Sequence, residues 1–348
     1  MSPQFFRALR CLFLFAGIVG VLVNGPGRLG AKDGPLYILD TDLASDCDDA
    51  AAVAIANVLM RQGEVRVLAM MVSTGGPYGA PALSAINTWY GHPDIPVGTL
   101  KDPSFWSGGG LDKPAGSKNY ESYTPALVKR FPTALKSGAD APDATDLYRR
   151  ILAAQPDASV VINTIGPLIN LARLMESTAD AHSPLDGWAL IQKKVKRLVV
   201  TGGKNPAGSS SNFSKSGAGI YTRTVLNGWP TPIVFVGNEV GGPVLTGWKR
   251  NAEANKGNPA REAYRLFHGG DVLKERASWD QAGILYAIRG EGALFELVEG
   301  GYQQVAEDGS TTWTAGEAPG RRHTYVRKRV GDAVLKDLFE GLMTQGRK

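Results

Sequence analysis

The chain has 348 residues, 43% hydrophobic and 20% charged, which is enough apolar material for one large globular domain or two modest ones and too much for a disordered chain. Its 43 glycines and 21 prolines follow no fixed period, which excludes collagen, coiled-coil and solenoid architectures, and two cysteines, Cys11 and Cys47, cannot staple a domain of this size. The formal charge of +5 falls to +2 once the first 31 residues, with three arginines and no acid, are set aside, so the basicity does not point to nucleic acid.

In chain order the first expected element is an export signal. Arg7 and Arg10 precede an apolar run from Cys11 to Val23, and Asn24 to Ala31 is rich in small residues; this order is that of a secretory signal, with cleavage expected after Ala31. The run is short for a membrane span of about 20 residues, so an uncleaved anchor is the lesser reading. Residues 32–348 are then the mature domain, secreted or periplasmic, with no stable membrane anchor. Short apolar runs at Leu36 to Leu39, Val65 to Met71, Val160 to Ile162, Leu198 to Val200 and Ile233 to Val236 read as buried strands. Between them, Asp48 to Arg61, Ala80 to Tyr90, Ala144 to Ala154, Pro167 to Glu176 and Gly217 to Asn227 carry helical spacing. The alternation predicts an α/β fold with a mostly parallel sheet flanked by helices, in which ligands collect at the carboxyl ends of the strands. Ser107 to Gly116 and Gly208 to Ser216 read as mobile loops. The densest basic stretch, Arg321 to Arg329, lacks interleaved stacking aromatics and reads as a solvated face.

The sharpest local feature is Asp40-Thr41-Asp42-Leu43-Ala44-Ser45-Asp46-Cys47-Asp48-Asp49, five carboxylates in ten residues at an expected strand-to-helix turn. Such crowding raises each pKa and destabilises the fold unless a cation or donors offset it. Opening a helix accounts for Asp48 and Asp49 through the backbone N–H groups and the dipole. A hard cation with six to eight oxygen ligands accounts for the rest, and calcium tolerates irregular oxygen geometry better than magnesium. An EF-hand is excluded, because its glycine and closing glutamate are missing. Cys47 has no histidine near in sequence and reads as a spectator thiol.

These residues resemble the signature of the inosine-uridine-preferring nucleoside hydrolases, in the branch with two extra residues between the early aspartate pair, here Asp40 and Asp42, and the doublet Asp48-Asp49. Ile165-Gly166-Pro167-Leu168-Ile169-Asn170, Val200-Thr201-Gly202-Gly203, Trp229-Pro230-Thr231-Pro232-Ile233-Val234 and Ser278-Trp279-Asp280 are similar to further family motifs in the same order. The resemblance implies a nucleoside-hydrolase-like open fold and a calcium ion held by Asp42, Asp49, Asp280 and the carbonyl of Ile165, with Asp48 touching the ribose. It implies cleavage of a nucleoside or related N-glycoside to sugar and base, and a possible homo-oligomer whose interface no residue fixes. Asp46 lies in the insertion, and its part in the metal shell is open.

Cleaving an N-glycosidic bond requires stabilised positive charge at the sugar, a positioned water and a base helped to depart. Asp42 is the candidate to take the proton of the water. The chain departs from the family where Trp279 stands in place of a histidine before the late aspartate; tryptophan stacks on a base but is no acid. Ser210-Ser211-Asn212-Phe213 keeps a substrate-binding asparagine, Asn212, and loses a glutamate, and Ala80 stands where many members have an asparagine. Two rivals remain: a haloacid-dehalogenase-type phosphatase opening on Asp40-Thr41-Asp42, with Lys274 as a poorly matched cation near Asp280, and a secreted calcium-containing binder without turnover.

Overall fold

The computed structural model describes residues 34–44, 46–102, 105, 123–214, 217–248, 255–270 and 273–346. The expected export signal and the Ser107 to Gly116 loop lie outside them. Among the described residues no helix is long and apolar enough to cross a membrane.

The first half alternates strand and helix: β1 (Leu36–Thr41), α1 (Asp48–Arg61), β2 (Arg66–Val72), α2 (Gly79–Trp89), β3 (Val97–Thr99), then α3 (Thr124–Arg130) and α4 (Ala144–Ala153). There follow β4 (Val160–Thr164), α5 (Ile169–Glu176), α6 (Gly187–Lys194), β5 (Val195–Thr201), β6 (Ala207–Gly208), α7 (Ser211–Ser214) and α8 (Gly219–Gly228). The rest comprises β7 (Ile233–Val236), α9 (Asn238–Gly241), β8 (Leu245–Thr246), α10 (Pro259–Phe267), β9 (Arg276–Ala277), α11 (Trp279–Arg289), β10 (Phe295–Val305), β11 (Thr311–Ala315), β12 (His323–Lys328) and α12 (Asp332–Met343).

Ten strands form one sheet in the order β3-β2-β1-β4-β5-β7-β12-β10-β11-β6. Every pairing from β3 to β12 is parallel, and the edge beyond β12 is antiparallel. Both faces are covered, because consecutive strand side chains point to opposite sides. Leu39, Val161, Val199 and Val234 enter one apolar cluster with α1 and α11, while Ile38, Ile162, Leu198 and Ile233 enter the other with α4, α5 and α8. Helix α1 is buried from Asp48 to Leu59, since α2, α10, α11 and α12 all pack around it. Its alanines keep those neighbours close, and a helix apolar on every side belongs inside.

The predicted α/β class and all five predicted strands and helices are present, with ends shifted by a few residues. The reading of Gly208 to Ser216 as a loop is corrected: Ser211–Ser214 is a helical turn anchored by Phe213, which is fully buried and packs against Gly202. The antiparallel edge went unread because β10 is half-exposed along most of its length and shifts register between Val298 and Gly301.

The chain leaves β1 toward β2 and β3 on one side, then returns to place β4 on the other. The order of strands therefore switches between β1 and β4, opening a crevice at their carboxyl ends. There Gly166 passes so close to the β1 end that a Cβ would stand 2.8 Å from the Asp42 nitrogen and 2.8 Å from Ser73 Oγ. Gly166→Ala is therefore expected to cost about 1–3 kcal/mol, read as a lower urea midpoint with an unchanged m-value.

Candidate active site

Asp42 follows β1 directly, Asp48 and Asp49 occupy the first turn of α1, Ile165 follows β4, and Asp280 lies in the first turn of α11. All five face one cavity of about 150 Å³ at the switch point. One carboxylate oxygen each from Asp48, Asp49 and Asp280 lies within 4.8 Å of the others. Asp42 lines the same cavity outside this tight trio. The family resemblance implies Asp42, Asp49 and Asp280 as one group with Asp48 toward the sugar, whereas Asp48 is an equal neighbour of Asp49 and Asp280.

None of these carboxylates is more than 6% exposed. Burial first, and then the charges of their neighbours, push Asp48, Asp49 and Asp280 well above the ordinary carboxylate range. Thr41 Oγ1 donates to Asp49 Oδ1, and the Asp280 backbone N–H supports Asp48. Asp48 Oδ2 is nevertheless buried with no hydrogen-bond partner among the described residues. An orphaned carboxylate oxygen among converging carboxylates fits a hard cation, as does an all-oxygen donor set.

The supports are also polar. Asp40, fully buried beneath the site, accepts from Tyr148 Oη at 2.9 Å and from Asn170 Nδ2 at 3.2 Å. Burial raises its pKa to about 7 despite those donors. Sealed away from the cavity, Asp40 cannot serve as the nucleophile that the phosphatase reading requires. The carbonyl of Ile165 accepts from Asn212 Nδ2 at 2.9 Å, and the same amide donates to Thr201 O at 3.0 Å. A carbonyl has a second lone pair, so Ile165 keeps an acceptor for an ion. Asn212 is a tie between the ends of β4 and β5, which leaves its Oδ1 for any ligand.

Asp46 is settled differently from the acids around it. It pairs with Arg276, whose Nε lies 3.0 Å from both carboxylate oxygens and whose Nη2 also bonds Oδ2. Burial alone would depress the Arg276 pKa, but the hydrogen bond and charge of Asp46 outweigh it, and the guanidinium stands above its ordinary value. The insertion that carries Asp46 is further held by Tyr123, whose hydroxyl donates to Asp46 O at 2.7 Å and accepts from Ala44 N at 3.2 Å, with Ala44 at a φ of 133°. Trp279 lines the cavity and is partly exposed, so it is not a core tryptophan; the Arg276 guanidinium lies 5.0 Å from its ring centre. Cys47 is buried, and burial pushes its thiol up, consistent with a spectator. Ala80 is buried in α2 and is not among the cavity-lining residues.

Arg276 and Tyr123 escaped the sequence reading, which weighed Lys274 as the cation near Asp280. Lys274 is exposed, whereas Arg276, four residues before Asp280, is the residue in the cavity. Its proximity to the Ser278-Trp279-Asp280 motif was the available signal.

No family profile and no curated protein sequence matches the chain. Solved structures do. A plant nucleoside hydrolase superposes with a TM-score of 0.63 at 18% identity, covering 90% of this chain and 100% of that one. The inosine-uridine preferring nucleoside hydrolase of Bacillus anthracis gives 0.62 at 16% identity, covering 89% and 98%. The chain has the nucleoside hydrolase fold. The type III effector protein XopQ, solved in complex with adenosine diphosphate ribose, superposes as well, with a TM-score of 0.60 at 15% identity, covering 89% and 92%. The nucleoside hydrolase fold expected from the ordered motifs is thus found over nearly the whole described chain.

The buried acids set a pH dependence. In chelator, carboxylates whose folded pKa lies above the 3.8 of the unfolded chain stabilise the fold fully below that value. Their contribution is lost as pH rises through the folded pKa. The thermal midpoint of the metal-free protein is therefore expected to fall as the pH rises above the ordinary carboxylate range. A cation taken up by the ionised carboxylates would stabilise the fold increasingly over the same range, by about 2.7 kcal/mol at about 100 times its Kd. Scanning calorimetry with and without chelator checks both slopes.

Proposed function

We propose that the chain is an exported, calcium-dependent hydrolase of N-glycosidic bonds that acts on ribonucleosides or closely related N-glycosides. The observation that carries this reading is the convergence of Asp48 and Asp49 with Asp280, from opposite ends of the chain, at the switch point of a nucleoside hydrolase fold. Asp42, Asp49, Asp280 and the Ile165 carbonyl would hold the ion, and the orphaned Asp48 Oδ2 beside them is left for a ligand. When bound, the ion supplies a fixed positive charge that orients sugar hydroxyls and acidifies a water.

The chain's own residues do the rest. Asp42, at the end of β1, takes the proton of the attacking water. Asp48, fixed by the first turn of α1, accepts from a sugar hydroxyl, and Asn212 offers Oδ1 to another. The remaining negative charge favours a sugar that turns cationic as its bond to the base breaks. Trp279 forms the wall on the base side. Residues 32–348 would make up the catalytic unit after removal of the export signal, in a secreted or periplasmic setting. The absence of the expected glutamate and histidine, replaced by Ser210 and Trp279, favours one second reading: a binder of sugars or nucleosides that does not turn over.

With calcium, the mature protein is expected to release free ribose from at least one member of a nucleoside panel. Asp42→Asn should lower kcat/KM by at least about 100-fold while leaving the circular dichroism spectrum unchanged. Nucleoside binding by calorimetry with no ribose released, even at stoichiometric protein, would establish the binder instead.

A further inference from the structure

The chemistry above leaves the departing base unattended. As the bond breaks, its electron pair moves onto the base, and among the described residues lining the cavity there is no histidine to protonate it. The cation in that lining is Arg276. Nε and Nη2 are held by Asp46, and the guanidinium lies 5.0 Å from the ring centre of Trp279 and 5.6 Å from that of Phe267. A planar fork bonded on one edge and resting on two rings keeps one orientation. Its Nη1 makes no hydrogen bond to any described residue.

Charge decides what that free edge suits. Five carboxylates line the cavity against one guanidinium, a divalent ion would offset two of them, and Asp46 already offsets Arg276. A phosphate would meet a net negative cavity. A neutral acceptor that gains charge only as its bond breaks meets a donor whose own charge is balanced beforehand, so the interaction strengthens toward the transition state.

We propose that Arg276, oriented by Asp46 and the Trp279 ring, is the leaving-group donor of this site: its Nη1 donates to a ring carbonyl or ring nitrogen of the departing base. This deepens the proposed hydrolase reading and rests on it. In the step, the bond from the anomeric carbon to the base nitrogen breaks and its electron pair goes to the base. The water oxygen bonds the anomeric carbon, and Asp42 takes the proton of the water. The base, held as an anion by Arg276, then takes a proton from Asp42 or solvent. Arg276 keeps its own protons throughout, and nucleoside plus water gives sugar plus base.

The test compares wild type, Arg276→Gln and the double variant Asp46→Asn with Arg276→Gln, all with calcium, on inosine, uridine and 4-nitrophenyl β-ribofuranoside. The nitrophenolate departs without help, so that substrate reads the sugar and water machinery alone. Both variants are expected to lose about 10²–10³-fold in kcat/KM on the nucleosides and to stay within about threefold on the nitrophenyl riboside. The double variant removes the pair without stranding Asp46 beside Asp48. Equal losses on all substrates, or no loss on the nucleosides, would overturn the role of Arg276. So would a wild type that cleaves the nitrophenyl riboside but neither nucleoside. A wild type that cleaves none of the three overturns the hydrolase reading, and this inference with it.

Discussion

Asp48, Asp49 and Asp280 hold oxygens within 4.8 Å of one another with almost no contact with solvent. At an effective dielectric of about 20, two unit charges at that separation repel by roughly 3–4 kcal/mol. Three such pairs approach the whole 5–15 kcal/mol that typically holds a domain folded. The helix N-termini of α1 and α11 offer each acid favourable dipoles worth about 1 kcal/mol, too little to offset this. The cluster therefore either keeps protons or takes a cation, and the convergence of three carboxylates on one point fits the cation.

The architecture serves that junction. β1 and β4 diverge at the topological switch, so Asp42 and the Ile165 carbonyl emerge side by side, while α1 and α11 pack against each other on one face and present their first turns to the same point. Beneath them, Asp40 ties β1 to Tyr148 of α4 and Asn170 of α5. Above them, Asn212 closes the gap between β4 and β5. The insertion that carries Asp46 adds a neutral ion pair with Arg276 to the rim rather than another ligand to the centre. It thereby sets a guanidinium beside Trp279 without changing the net charge of the carboxylate cluster.

Much of this was legible in the sequence. Buried parallel strands such as Ile233–Val236 read as short apolar runs because both of their faces are covered, and α1 begins where the Asp48-Asp49 doublet said it would. The joining of Asp280 to that doublet came from the order of motifs, not from local pattern. What was not legible depends on tertiary contact. Ser211–Ser214 looks like a loop until Phe213 finds Gly202, and β10 gives no clear alternation because it lies half in solvent and carries Gly300 at a φ of 77°. Arg276 follows no periodicity, and only its pairing with Asp46, 230 residues earlier, places it in the cavity.

The proposed chemistry needs a divalent ion shared by acids that lie far apart in the chain. A crystal structure of the mature protein grown with calcium, with anomalous data, tests this most directly. The expected result is one anomalous peak with oxygens of Asp42, Asp49, Asp280 and Ile165 at about 2.3–2.6 Å. No peak at this junction under saturating calcium, or a shell at about 2.1 Å that excludes Asp280, would contradict it.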